Sequence, residues 1–206
     1  MTNKINDLRR IFFAAKKYKT NLLNKNLLII YEDRETRIYH KEEFAFYDSN
    51  FLHLTGVEYS KSTNRNKNSI LFFNQCLSNE LRIEDISYKK DGSTRLKIEI
   101  LDNIVSMHKE ATMIGNFNKS RIMLFTDKIC GSVRACMGAV KNEYNYYVPN
   151  TALKEDVRKL VDKWYPIRAI YVKNINDAKY TELSKSSKDY DLSKLPKEVA
   201  DLIDLV

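Results

Sequence analysis

The stretch from residue 112 to residue 151 carries the side chains of this sequence that are best suited to chemistry. Between residues 111 and 141 there are five basic residues and one acidic residue, Asp127. Charge of one sign on a surface of small residues attracts and holds phosphate groups. The composition of the stretch therefore predicts a phosphate-binding surface. Its candidate side chains are Arg121, Lys128, Ser132, Arg134, Tyr147 and Thr151.

The sequence contains none of the standard fingerprints of metal or nucleotide sites. It has no phosphate-binding glycine loop, no HExxH motif and no paired-cysteine zinc motif, and no cluster of Asp and Glu accompanies the basic stretch. We therefore expect no metal ion and no cofactor. The remaining His, Lys, Arg, Tyr, Ser and Thr side chains are those that cleave RNA without a metal. In that reaction a base activates the ribose 2′-hydroxyl, cations stabilise the phosphorane, and an acid protonates the leaving 5′ oxygen.

Length and composition indicate one soluble domain with appended helices. The chain has 206 residues, a hydrophobic fraction of 43% and a formal net charge of +8. No apolar run approaches the roughly 20 residues of a membrane-spanning helix, and the N-terminus lacks the pattern of a signal peptide. We expect a cytoplasmic protein with no membrane partner. Its positive charge indicates either simple solubility or a polyanionic partner.

Helices are predicted mainly before the basic stretch, and strands mainly within it. Apolar residues recur at helical spacing through the first 22 residues. Two apolar runs in residues 27–48 predict a β-hairpin, after which Ser49 and Gly56 bound a short helix. Further helices are predicted at 70–78, 82–87, 94–107 and 152–164, the last capped by Asn150 or Thr151. Further strands are predicted at 113–126, 131–140, 144–151 and 167–173.

These elements predict an α+β fold in which N-terminal helices pack against a small curved antiparallel β-sheet, with a short C-terminal helix. We divide the chain into an N-terminal amphipathic helix (1–26), an α+β domain (27–175) and an acidic C-terminal tail or helix (176–206). Strand alternation places Ser132 and Arg134 on one face of the sheet, opposite an apolar set. We expect a ligand to lie against that face.

Five phrases of the sequence resemble a family of phage and mobile-element proteins grouped with barnase, EndoU, colicin and RelE-type (BECR) nucleases. The phrases are NFLHLTGV (50–57), DGSTRLKIEIL (91–101), MIGNF (113–117), FTDKICGSVRACMG (125–138) and YVPNTALKEDVR (147–158). The resemblance spans roughly residues 27–172, which is most of a domain. It implies a small BECR-like antiparallel sheet, preceded by helices, whose open face cuts RNA.

His53 is the candidate general base, because it is the only histidine within the matching phrases and lies on the short capped helix. The alternative is a structural histidine packed beside Phe51 and Leu54. Geometry decides between the two, since a base must reach the proton that it removes.

Lys128 and Arg134 are the candidate phosphate ligands, and the arginine is favoured for a bidentate contact. The alternative for both is a structural ion pair, for Lys128 with its neighbour Asp127. Thr151 completes the catalytic set, because a hydroxyl and amides at the start of a helix donate to phosphate. Its alternative role is an ordinary N-cap.

Five further residues are predicted to bind the substrate: Arg121, Ser132, Tyr147, Asn150 and Lys154. Arg121 and Lys154 would extend the basic surface along the backbone of the nucleic acid, although a solvated charge is the common alternative. Tyr147 offers an aromatic ring or a hydroxyl, and its alternative is a core position in a tyrosine-rich strand.

The resulting hypothesis is a metal-independent RNA endonuclease that acts as a toxin or as a phage or mobile-element conflict protein. Its partners would be RNA or another nucleic acid, and an antitoxin or host protein. One alternative is a nucleic-acid-binding protein without catalysis. The other is a phage or mobile-element protein that binds and inhibits a host protein through the N-terminal helix or the acidic tail, in a complex that survives high salt, unlike binding to a nucleic acid.

Overall fold

The fold is α+β in a computed structural model that describes residues 2–61, 63–120 and 124–204. The described α-helices are α1 (Thr2–Asn21), α2 (Asn50–Thr55), α3 (Arg65–Ser78), α4 (Ser93–Val105), α5 (Met107–Glu110) and α6 (Lys197–Ala200), and 3-10 helices cover Ile83–Asp85, Val157–Lys159 and Leu192–Lys194. The strands are β1 (Lys25–Glu32), β2 (Tyr39–Phe46), β3 (Glu58–Tyr59), β4 (Ile86–Ser87), β5 (Met113–Phe117), β6 (Lys128–Gly131), β7 (Cys136–Lys141), β8 (Tyr147–Leu153), β9 (Val161–Asn174) and β10 (Glu182–Ser186).

Seven of these strands close into a β-barrel. The order in the main sheet is β1-β2-β8-β7-β6-β5-β9-β10, and β9 also pairs with β1, which closes the ring. The barrel is antiparallel except for β2 and β8, which are joined in parallel at the single pair Phe44 and Tyr147. The predicted small curved sheet packed by N-terminal helices was therefore wrong, although the α+β class holds.

The error arose at residues 152–164, which were predicted to form a helix. There β8 runs to Leu153, a 3-10 helix follows, and β9 begins at Val161. Val157, Leu160 and Val161 have helical spacing, but the 3-10 turn and the start of a strand bury the same three side chains. The first half of β9, which pairs with β5, was thereby missed, and with it the closure of the barrel.

Ser132 and Arg134 lie in the turn between β6 and β7, so the strand face that they were predicted to share does not exist. The amide of Arg134 donates to the Ser132 hydroxyl at 3.2 Å. Such a side-chain contact across two residues is typical of a turn. Alternation along a strand holds only within the strand, and β7 begins at Cys136.

The helices α1 to α4 share one core with one face of the barrel strands. Leu27, Ile29 and Phe44 belong to it together with Ile11 and Leu101. The alternate residues of β1 and β9 face the other way and pack against the C-terminal segment. The predicted N-terminal helix is confirmed as α1, and the proposed segment boundaries stay a prediction. None of the described helices combines the length and the apolar character needed to cross a membrane.

A buried ion pair lies beside the parallel junction of β2 and β8. The ammonium of Lys128 on β6 is 2.7 Å from a carboxylate oxygen of Glu42 on β2, and the two side chains are 8% and 20% exposed. The same ammonium lies 5.2 Å from the centroid of the Tyr147 ring on β8. Lys128 thus contacts both strands of the junction.

Replacing Glu42 with glutamine should destabilise the fold. The substitution Glu42→Gln leaves the Lys128 ammonium buried without its counter-charge, which costs about 3 kcal/mol in the free energy of unfolding. Denaturant unfolding at pH 7 measures the loss. The matched control is Glu35→Gln, because that side chain is 78% exposed in its pair with Lys163, and its loss should stay below about 0.5 kcal/mol. Equal losses in the two variants would contradict a stabilising role of the buried pair.

Candidate active site

A cleft of about 1090 Å³ lies between α2, α4, strand β8 and the segment that contains β4. We call it the α2–α4 cleft. Its lining includes His53, Arg65, Lys89, Asp91, Lys97 and Thr151. Pockets of this size suit a ligand as large as a nucleotide.

Lys97 is the buried cation of this cleft. It lies on α4, is 9% exposed, and its ammonium donates to the Thr151 hydroxyl at 2.8 Å and to the His53 carbonyl at 3.3 Å. An ammonium carries three donors, so these two contacts leave one donor for a ligand. The ammonium also joins α4 to α2 and β8.

Local capping contacts fix the start of α4 next to α2. Asp91 accepts from the Ser93 amide at 2.9 Å, and Gly92 has the left-handed φ of 77° that precedes the helix. The Thr94 hydroxyl donates to the Gly56 carbonyl at 2.8 Å. The DGST sequence therefore sets both the beginning of α4 and its distance from the end of α2.

Gly56 makes room for the Lys97 side chain. It ends α2 in a left-handed conformation with φ of 70°, and a Cβ at this position would lie 2.6 Å from Lys97 Cδ. Two requirements thus select glycine here, the backbone conformation and the close passage of the lysine stem.

Burial lowers the pKa of Lys97 from its usual 10.5 to about 8, with a further lowering by Lys89 and a partial opposing effect of Asp91. Among the described residues, no carboxylate lies within ion-pair distance of its ammonium. Lys97 is therefore a charged group near neutral pH that can also release its proton under mild conditions.

His53 lies on α2 with its side chain open to the cleft. The pKa of its imidazole is lowered from 6.5, first by partial desolvation and then by the positive charges of Lys97, Lys89 and Arg65. A neutral imidazole is the form that accepts a proton. Although the predicted cap Ser49 makes no side-chain capping bond, Asn50 ties α2 to β8 through its amide, which donates to the Pro149 carbonyl at 3.2 Å.

Thr151 and Asn150 line the same cleft, but they stand on β8 rather than at the start of a helix. The prediction that they cap a helix was wrong. Thr151 is 7% exposed and accepts the hydrogen bond from Lys97. Asn150 donates to the Phe125 carbonyl and thereby supports the chain segment on the far side of the cleft.

The other predicted site residues lie away from the described lining of the cleft. Lys128 and Tyr147 stand together at the junction of β2 and β8, and Lys128 pairs with Glu42 rather than with Asp127. Arg134 and Ser132 occupy the turn after β6, and Lys154 pairs with Glu99. Arg121 lies outside the described residues. The structure thus brings together His53, Asn150 and Thr151 but not Lys128 or Arg134, whose catalytic roles stay predictions.

Carboxylates occupy the wall of the cleft formed by β3 and the residues before β4. Glu58 accepts from the Ser87 hydroxyl at 3.0 Å, and Asp85 is paired with Lys61. Within the described ranges, no group of three or more His, Cys, Asp and Glu side chains is arranged to hold a metal ion. The carboxylates of Glu58 and Asp85 make this side of the cleft acidic, whereas the side around Lys97 is cationic.

A comparison with protein-family models matches residues 10–189 to PBECR4, described as phage-Barnase-EndoU-ColicinE5/D-RelE like nuclease4. The chain belongs to this family. Searches of the curated proteins and of the solved structures found no match to it. Membership of a BECR-type nuclease family makes a nucleic acid the expected substrate.

Sequence reasoning missed Lys97, the buried cation of the candidate site, and also the cleft residues Arg65, Lys89 and Phe125. The signal was present, because Thr94, Lys97, Ile98 and Leu101 follow helical spacing and share the buried side of α4. A lysine within an apolar stripe is rarely buried unless it has a partner or a function. The sequence does not show, however, that α2 and strand β8 would supply the acceptors.

Alanine at Gly56 should disturb the lysine, and Gly92 provides the matched control. Both glycines have left-handed φ angles, but a Cβ at Gly92 meets nothing within 4 Å. Gly92→Ala should therefore lose only about 1 kcal/mol of unfolding free energy from backbone strain. Gly56→Ala should lose this amount and also displace Lys97, seen as a change in its ammonium chemical shift by NMR. An unchanged Lys97 signal in Gly56→Ala would contradict the close packing.

Removing the charge of Lys97 should stabilise the protein in a pH-dependent way. Because its pKa falls from 10.5 to about 8 on folding, the native state binds fewer protons than the unfolded state between these values, and stability rises with pH there. Lys97→Met should therefore unfold with up to about 3 kcal/mol more free energy at pH 7. This advantage should shrink between pH 8 and pH 10.5 in denaturant titrations. A difference that stays constant over this range would contradict a charged, desolvated Lys97.

Proposed function

We propose that the protein is a metal-independent RNA endonuclease whose active site is the α2–α4 cleft. The observation that carries the proposal is the buried Lys97 ammonium, 2.8 Å from Thr151 in a cleft that also contains the imidazole of His53. An acid, a base and a fixed positive charge are the groups that this reaction needs. Membership of the BECR-type nuclease family supports the nucleic-acid substrate.

In the first step, His53 is the general base. Its lowered pKa keeps the imidazole neutral at pH 7, so that it takes the proton from a ribose 2′-hydroxyl. The 2′ oxygen then forms a bond to the adjacent phosphorus and gives a five-coordinate phosphorane. The step requires RNA, because DNA has no 2′-hydroxyl to act as the nucleophile.

In the second step, Lys97 stabilises the phosphorane and supplies a proton. Its ammonium is held by Thr151 and the His53 carbonyl, so little reorganisation is needed when charge develops on the phosphate oxygens. As the bond from phosphorus to the 5′ oxygen breaks, the ammonium protonates that oxygen. The products are a 2′,3′-cyclic phosphate and a 5′-hydroxyl, and exchange with water restores both protonation states.

Lys89 and Arg65 complete the proposed phosphate site. Both line the cleft, and both are close enough to His53 to lower its pKa. Their exposed side chains suit contacts to the flanking phosphates, which contribute affinity without sequence preference. An action as a toxin, restrained by an antitoxin or directed at a host, stays a prediction.

The purified protein should cleave single-stranded RNA in the presence of EDTA and leave 2′,3′-cyclic ends. His53→Ala and Lys97→Met should each lower kcat by about a hundredfold or more, because each removes a proton-transfer group. Gel analysis and mass spectrometry of the products measure rate and chemistry. Matched controls are His40→Ala and Lys194→Met, whose side chains are exposed and lie outside the described lining.

The pH profile provides a second readout of the same site. The rate should rise as His53 loses its proton, below its usual pKa of 6.5, and fall as Lys97 loses its proton near pH 8. Lys97→Arg should be slower than the wild type, because an arginine does not release its proton, and its residual activity should lack the falling limb, because the charge is kept. Failure to cleave several RNAs in EDTA, or full activity of His53→Ala, would overturn the proposal.

A further inference from the structure

Phe125 presents an aromatic ring at the rim of the α2–α4 cleft. Its side chain is 86% exposed, the largest fraction among the large hydrophobic residues in the described part of the chain, and it lines the cleft. Exposure of one apolar side chain is common and indicates nothing by itself. Two further observations indicate a role for Phe125: the hydrogen bonds that hold its backbone, and the other side chains that line the cleft.

Two polar side chains hold the backbone of Phe125 against the barrel. Asn150 on β8 donates to the Phe125 carbonyl. The hydroxyl of the next residue, Thr126, is buried and lies 3.1 Å from the Ala139 carbonyl on β7 and 3.2 Å from Asn150 Oδ1. The ring therefore projects from a fixed segment, which reduces the entropy lost when a ligand packs against it.

Phe125 shares the lining of the cleft with charged and polar side chains, as well as with the apolar side chains of Leu124 and Leu153. Lys97, Lys89 and Arg65 provide cations, and Asn150 and Thr151 provide hydrogen-bonding groups. An aromatic face and cations within one cleft are the combination that binds single-stranded nucleic acid, since the base stacks while the phosphate pairs with a cation. An apolar peptide partner would instead need a continuous apolar surface.

We propose that Phe125 is a stacking platform for an unpaired nucleobase whose phosphate is held on the Lys97 side of the cleft. This inference rests on the proposed function, and it specifies the substrate as single-stranded. In a duplex the faces of the bases are covered by their neighbours, so that no face is free for Phe125. Phe125 is here a binding residue and takes no part in proton transfer.

The test uses a fluorescein-labelled DNA heptamer of mixed sequence, which lacks the 2′-hydroxyl and so cannot be cleaved by the proposed reaction. Binding is measured by anisotropy for the intact heptamer, for heptamers with one abasic site moved along the strand, and for a hairpin of paired bases. The wild type should bind the intact heptamer about tenfold more tightly than the weakest abasic heptamer, and than the hairpin.

Phe125→Ala should bind the intact heptamer about tenfold more weakly than the wild type and should no longer distinguish it from the abasic heptamers. Phe125→Trp should retain both properties. The salt dependence of binding should be unchanged in Phe125→Ala, because the cations remain, and should decrease in Lys97→Met. Phe13→Ala is the control, since that ring is 58% exposed on α1 and lies outside the described lining of the cleft.

Binding of the heptamer by Phe125→Ala within twofold of the wild type, equal binding of hairpin and single strand, or no binding of either would overturn the inference. Thermal unfolding of each variant distinguishes lost stacking from lost folding. Cleavage is measured separately on RNA. If base-dependent binding requires Phe125 but no RNA is cut, the stacking platform stands and the proposed nuclease function fails.

Discussion

Strand β9 is the constraint on which the architecture depends, because it pairs with two strands that are far apart in the chain. It has 14 residues. Its first half pairs with β5 and its second half with β1, and the register changes between Gly115 and Phe117. A Cβ at Gly115 would lie 2.6 Å from the Lys163 carbonyl. The two strands can approach so closely only because residue 115 has no side chain.

Closing the ring leaves one weak junction, and the helices are attached next to it. Strands β2 and β8 share a single parallel pair, whereas β1 pairs with β2 along eight residues. Strand β8 is held on its other side by antiparallel pairing with β7, and contacts from outside the sheet add to this support, through Asn50 with Pro149 and Lys97 with Thr151. The cleft lies where α2 and α4, rather than another strand, are next to β8. Its polar groups therefore lie between the helices and the barrel.

The parts of the fold that could be predicted from the sequence are those set by local patterns. The α1 helix, the hairpin of β1 and β2, and the end of α2 at Gly56 follow from apolar spacing and a left-handed stop. The closure of the barrel could not be predicted, because residues 152–164 have apolar spacing that suits a helix as well as a turn followed by a strand. Only pairing with β5, more than 40 residues earlier in the chain, selects the strand.

In the candidate site, too, local sequence motifs could be recognised, whereas contacts between residues far apart in the chain could not. His53, Asn150 and Thr151 stand in motifs that could be recognised, and the cleft brings them together. Lys97 lies within a quoted phrase as well, but its importance depends on acceptors from α2 and β8. Candidate residues could thus be recognised from the sequence, whereas the group that each cation contacts in the fold could not be predicted.

The two buried lysines illustrate why the partner decides the role. Lys128 and Lys97 are similarly shielded, since 6% and 9% of the whole residue is exposed. Lys128 is neutralised by Glu42 at 2.7 Å, so a phosphate would have to displace a carboxylate that is already in place. Lys97 is held by neutral oxygens of Thr151 and His53, so its charge is uncompensated and an incoming phosphate would supply the missing negative charge. An uncompensated buried cation lowers stability, and binding an anion relieves that cost. For this reason Lys97, rather than the basic residues of the β-rich stretch, is the central group of the active site that we propose.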